Sequence, residues 1–100
     1  MLFLALIVIN AVTLSPRAQK DLRKCPSHIV RNLMAWVGAV QAEGLEAIRR
    51  LPGYHDEPLH GAWKGHRSIR LSLGYRAIYI VQDDGIVEFA LVETVNKHQY

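Results

Sequence analysis

The stretch Arg67–Val95, RSIRLSLGYRAIYIVQDDGIVEFALVETV, reads as three strands joined by two tight turns. From Arg67 to Ser72 the side chains alternate. Ile69 and Leu71 fall on one face and Ser68, Arg70 and Ser72 on the other, as in a half-buried strand. Leu73-Gly74 supplies a turn. Tyr75–Val81 is apolar on both faces after Arg76, the pattern of a central strand. Asp83-Asp84-Gly85 is a hairpin signal, because Asp and Gly tolerate the positive φ of two-residue turns. Ile86–Val95 forms the last strand, which runs into Asn96-Lys97-His98-Gln99-Tyr100.

The sheet needs cover on one face, and the first half of the chain supplies it. Ser15-Pro16 pairs a hydroxyl N-cap with Pro at the first helical position, which predicts a helix over 17–24. Pro26 ends it, and Ser27 is placed to cap a longer one. Ile29, Leu33, Trp36, Val37, Val40, Ile48 and Leu51 recur at helical spacing as one apolar stripe. Gly44 leaves two readings, a kink or an interruption. Pro52-Gly53 stops the helices, and residues 53–65, GYHDEPLHGAWKG, read as a connecting loop. At the start, MLFLALIVINAV lacks a basic n-region and a small-x-small cleavage site and is too short to span a bilayer. It reads as a buried strand over about 4–13, with residues 1–6 an extension ahead of the domain. The order is β-α-α-β-β-β: one α+β domain over 1–100, a small, mainly antiparallel sheet with a helical hairpin packed on one face.

One hundred residues, 50% of them hydrophobic, suffice for one core and not two. Charged residues make up 21% of the chain, which excludes both a disordered acidic tail and a polybasic arm. The net charge of +3 is unevenly spread. Between Pro58 and Gln82 there is no Asp or Glu, while Lys64, Arg67, Arg70 and Arg76 fall inside with His60 and His66. Such a segment reads as an anion-facing surface or as a solvated strand face. Cys25 is the sole cysteine, so no intrachain disulfide forms and a reducing compartment fits. It shares a helical face with Ala18 and Leu22, which marks it as a packed small hydrophobe.

Five histidines raise the question of a metal. His55, His60 and His66 are spaced more widely than zinc ligand pairs, and Cys partners are missing, so no metal or other cofactor is expected. Metal-free cleavage of RNA needs less. The 2′-hydroxyl is the nucleophile; the protein supplies a base, an acid and cations to hold the phosphate. Histidine suits proton transfer near neutrality, and arginine forks suit phosphate. On the last strand, alternation puts His98 on one face with Asn96 and Thr94, and Lys97 on the other with Val95 and Glu93. His98, Arg70 and Arg76 are therefore candidates for one surface.

The strings LSPRAQKDL, LPGYHDEPLHG, RSIRLSLGYRAIYIV and VNKHQY, in this order, resemble the RelE/ParE superfamily of type II toxin–antitoxin toxins. The likeness covers about residues 11–100 and is nearest to the RelE and HigB branches, which are ribosome-dependent mRNA endoribonucleases. It implies a RelE-like fold similar to microbial ribonucleases, and a bacterial cytoplasmic toxin that cleaves mRNA by metal-free 2′-hydroxyl attack. It further implies that Arg70 binds phosphate, that Arg76 stabilises transition-state charge, and that His98 and Tyr100 are catalytic. Lys64, Arg67, His60, His66, Lys97 and Trp63 would face RNA or the ribosome. His60 stands where relatives often carry Lys, leaving it as base, phosphate contact or loop residue; Trp63 would stack on a base or lid the core. The partners implied are the ribosome with its mRNA and a cognate antitoxin, a small DNA-binding protein, with no membrane. A ParE-like toxin that inhibits DNA gyrase without catalysis would share the fold.

Overall fold

The computed structural model describes residues 8–85 and 88–97. Residues 1–6, read above as an extension, and the terminal His98, Gln99 and Tyr100 lie outside these limits.

The chain folds in the order β1 (Ala11–Leu14), α1 (Pro16–Arg23), α2 (Ser27–Glu43), α3 (Leu45–Arg49), β2 (Glu57–Pro58), β3 (Arg67–Arg70), β4 (Tyr75–Asp83) and β5 (Glu88–Lys97), with 3₁₀ turns at Pro52–Tyr54 and Gly61–Trp63. Among the described residues, five strands form one mixed sheet, β1-β5-β4-β3-β2, in which β1 runs parallel to β5 and every other pair is antiparallel. The α+β class and the three consecutive C-terminal strands agree with the sequence reading.

All three helices lie on one face. Ile29, Leu33, Trp36, Val37 and Val40 from α2 and Ile48 from α3 meet Ile69, Ala77, Tyr79, Ala90, Val92 and Val95 from the sheet in one apolar cluster. Trp36 and Tyr79 sit at its centre, their ring centroids 5.3 Å apart and tilted by 46°, which adds an aromatic contact to the area buried. Leu51, expected on the same stripe, is exposed, because α3 stops at Arg49 and Pro52 turns the chain away.

Helix ends follow local chemistry with one correction. Ser15 Oγ accepts from the Ala18 N–H at 2.9 Å and donates to the Glu93 carbonyl at 2.7 Å, so one hydroxyl caps α1 and ties it to β5. Ser27 does not cap α2; it is the first helical residue, and Pro26 takes the flanking position with no side-chain cap. The Pro26 carbonyl accepts from Ile29 and Val30 instead. At Gly44 the helix breaks rather than kinks. Its φ of +86° favours glycine, and a Cβ there would lie 2.8 Å from Val8 Cγ1. The Ile9 carbonyl then accepts from the Leu45 N–H at 2.7 Å. Residues 8–10, expected to be strand, therefore serve this helix junction, and β1 starts only at Ala11.

Two sheet details shape the open face. The loop expected over 53–65 contains β2, whose Glu57 and Pro58 pair with Ser68 and Arg67; Pro is tolerated there because β2 is an edge. In β5 the register jumps: Tyr79 pairs with Val92 and Ile78 with Thr94, leaving Glu93 as an extra residue. Such a bulge interrupts the alternation, so simple parity does not carry across Glu93. Asp21 of α1 spans this point, accepting from Thr94 Oγ1 at 2.7 Å and from the Val95 N–H at 3.0 Å.

Candidate active site

The face of the sheet away from the helices carries a cavity of about 260 Å³. Arg70 and Arg76 line it from β3 and β4, with Ser68, Ser72, Leu73 and Tyr75 around them and His55 and Glu57 on the side of β2. Its shape comes from the tight turn after β3. Ser72 Oγ accepts from the Gly74 and Tyr75 N–H groups, and the Tyr75 carbonyl accepts from Leu71 and Ser72. Asn32 of α2 donates to the Leu71 carbonyl at 2.7 Å and fixes the turn to the helical layer.

Arg70 and Arg76 are direct cross-strand partners. Like charges in that position oppose each other, and a desolvated guanidinium nitrogen without an acceptor costs stability. Arg76 Nε is buried and has no hydrogen-bond partner among the described residues. Both penalties would be relieved by a multiply charged oxyanion in the cavity, since arginine forks match phosphate oxygens. Asn96 of β5 stands opposite Arg76, two positions before His98. Arg70, Arg76 and Asn96 thus share the open face, as alternation indicated for the first and last of them.

The remaining sequence candidates separate. Arg67 lies on the helix-facing side of β3, committed to Asp56: its Nε donates to Oδ1 at 2.5 Å, and Asp56 Oδ2 accepts from the Tyr79 hydroxyl at 2.5 Å. Burial alone would lower the Arg67 pKa, but the hydrogen bond to Asp56 and its charge hold it above the ordinary value. Tyr79 is fully buried, and desolvation first, then the hydrogen bond and charge of Asp56, push its phenol far up. His66 lies half-buried, Nε2 3.3 Å from Glu93 Oε2, with Trp63 edge-on at 5.0 Å. Trp63 and His66 therefore fold onto each other outside the cavity. His60, Lys64 and Lys97 are exposed and line no part of it. His98 and Tyr100 lie outside the described residues. Cys25 donates to the Asp21 carbonyl, and burial followed by the Asp21 charge raises its thiol pKa, as suits a packed cysteine rather than a nucleophile.

The sequence reading weighed His55 only as a metal ligand and did not name Glu57 for the site. Both sit in what read as loop, and only the pairing of β2 with β3 brings them beside Arg70. Nothing in their spacing announces that pairing; the sole local sign is His-Asp-Glu-Pro shortly before an acid-free segment. Among the described residues, no group of three or more His, Cys, Asp or Glu side chains converges as metal ligands would, and no helix is long and apolar enough to cross a membrane.

Comparison with known proteins agrees with this architecture. A family model described as the ParE toxin of the type II toxin–antitoxin system parDE matches residues 12–94. Among curated protein sequences none matches this chain. A point mutant of the YafQ toxin from E. coli superposes with a TM-score of 0.68 at 19% identity, covering 87% of this chain and 91% of that one. A YoeB/ParE toxin from Agrobacterium tumefaciens gives 0.63 at 18% identity, covering 89% and 99%. The E. coli DinJ–YafQ toxin–antitoxin complex gives 0.61 at 22% identity, covering 90% and 94%. At these identities the likeness to solved structures carries the fold, while the family model spans most of the chain. The protein belongs to the ParE toxin family of type II toxin–antitoxin systems.

Proposed function

We propose that this toxin is a ribosome-dependent endoribonuclease that cuts mRNA by attack of the 2′-hydroxyl on the adjacent phosphate. The supporting observation is the Arg70–Arg76 pair, two like charges directly opposite each other in an open cavity, one with a buried and unpartnered Nε. A phosphate whose charge rises during reaction makes use of that arrangement. In this reading Arg70 holds the scissile phosphate and Arg76 stabilises its transition state. His98 moves a proton, and Tyr100 stacks on a base or shares the chemistry. The exposed Lys64, Lys97 and His60 meet RNA or the ribosome, and Trp63 borders that surface. Arg67 and His66 instead hold the loop 59–66 and β2 in place. The site is cytoplasmic, where the ribosome is, and a cognate antitoxin, a small DNA-binding protein, neutralises the toxin.

The test is in vitro translation followed by primer extension. Wild-type protein cuts mRNA in the ribosomal A site, and Arg76→Ala lowers the single-turnover rate by about 100-fold, as loss of one preorganised transition-state donor does. Full-rate cleavage by Arg76→Ala sinks the assignment.

The family model's description favours a second reading, inhibition of DNA gyrase without catalysis. The same fold serves both. A supercoiling assay run beside the translation assay separates them: inhibited gyrase with intact mRNA supports the second reading and removes the first.

A further inference from the structure

His55 is set apart by its backbone, its contact and its surroundings. It is the one non-glycine residue with positive φ among the described residues, at φ 45° and ψ 48°. That left-handed position after a helical turn usually goes to Gly or Asn, and a side chain kept there against strain marks a functional candidate. The His55 N–H donates to the Pro52 carbonyl at 3.1 Å. Asp56, next in the chain, is clamped by Arg67 and Tyr79. The turn is thus anchored on both sides while the imidazole lines the cavity. There His55 Nε2 lies 3.2 Å from Arg70 Nη1. A guanidinium has only donors, so in this contact Arg70 donates and Nε2 accepts.

We infer that His55 is the general base of the cleavage proposed above, uncovered by the substrate's own phosphate; this rests on the ribonuclease reading. In the free protein Arg70 covers the Nε2 lone pair. A phosphate oxygen is the stronger acceptor because its hydrogen bonds are charge-assisted. A phosphate bound at Arg70 and Arg76 draws the guanidinium away, leaving Nε2 bare in the cavity that holds the ribose. Nε2 takes the 2′-hydroxyl proton as the 2′-oxygen bonds to phosphorus. The bond from phosphorus to the 5′-oxygen breaks, its electron pair leaves with that oxygen, and the oxygen takes a proton from water. The products are a 2′,3′-cyclic phosphate and a 5′-hydroxyl, with the abstracted proton left on His55. The charged groups around the imidazole are Arg70 from β3, Arg76 from β4 and Glu57 from β2. Glu57 lines the same cavity and is the rival base, which Glu57→Gln separates from His55.

The experiment measures single-turnover cleavage of ribosome-bound mRNA over about pH 5.5 to 8, where imidazole titrates. Wild type is expected to show an acidic limb, its rate following the fraction of neutral imidazole. His55→Gly and His55→Asn both suit the left-handed backbone and preserve the turn. Each should lose that limb and about 100-fold in rate at neutrality, and added imidazole should restore part of the His55→Gly rate. Glu57→Gln should keep the limb. An unchanged limb in either His55 variant, or its loss in Glu57→Gln, overturns the proposal. Cleavage that needs Arg76 but not His55 removes only the base assignment. If the wild type does not cleave, the ribonuclease reading falls and the base assignment falls with it.

Discussion

Asp56 accepts from Arg67 and Tyr79 with its carboxylate while its neighbour His55 turns into the cavity. One peptide step therefore joins the anchor to the site. Arg67 and Arg70 look alike in the sequence, three positions apart in the same basic segment. What separates them is alternation, which was legible, together with the partner Asp56, which was not, because it lies in a segment with no readable period. The anchor has a consequence at high pH. An unfolded tyrosine ionises near pH ~10, while Tyr79 in the folded protein keeps its proton well above that. Its contribution to stability is complete below about pH 10 and declines as pH rises further, because only the unfolded chain gains by releasing the proton. Urea midpoints measured from neutrality to about pH 11 should fall above pH 10 in the wild type. Tyr79→Phe should start from a lower midpoint at neutral pH, having left Asp56 one donor short, and decline less steeply. Parallel declines in the two proteins would contradict this role.

At the scale of elements, α1 is fastened to β5 at the β-bulge by Asp21, whose Oδ2 accepts from Thr94 Oγ1 and the Val95 N–H. Thr94 and Val95 are 1% and 2% exposed, so water does not replace those bonds. Asp21→Ala should destabilise the fold by about 1–3 kcal/mol, the cost of leaving buried polar groups unpaired, read as a lower urea midpoint at unchanged slope. No change in midpoint would mean the bulge is held by packing alone. The helices and the three C-terminal strands were legible because their periods of about 3.6 and 2 are carried by apolar residues such as Leu33, Trp36, Ile69 and Leu71. The bulge at Glu93 was not, since it is a register shift between two strands and leaves no mark on either one. Nor was β2, whose two residues are too few to show a period.

For the molecule as a whole, the parallel pairing of β1 with β5 joins Ala11 to Phe89 and Leu14 to Val92. The layer that forms the core is thus drawn from both ends of the chain, and closing it requires contacts of long sequence separation. Chains built this way fold slowly for their size, in the millisecond-to-second range of about 10⁻³ to 1 s. Stopped-flow refolding should give such a rate, and Val12→Ala should chiefly speed unfolding if β1 docks after the transition state. A matching loss in the folding rate would place β1 in the nucleus instead. Synthesis imposes an order on these events. The three helices leave the ribosome with only β1 made before them, β2, β3 and β4 follow, and β5, which both seats β1 and borders the arginine pair, comes after these. The core cannot close before β5 is made, so the apolar faces of the helices stay incompletely covered until that strand emerges.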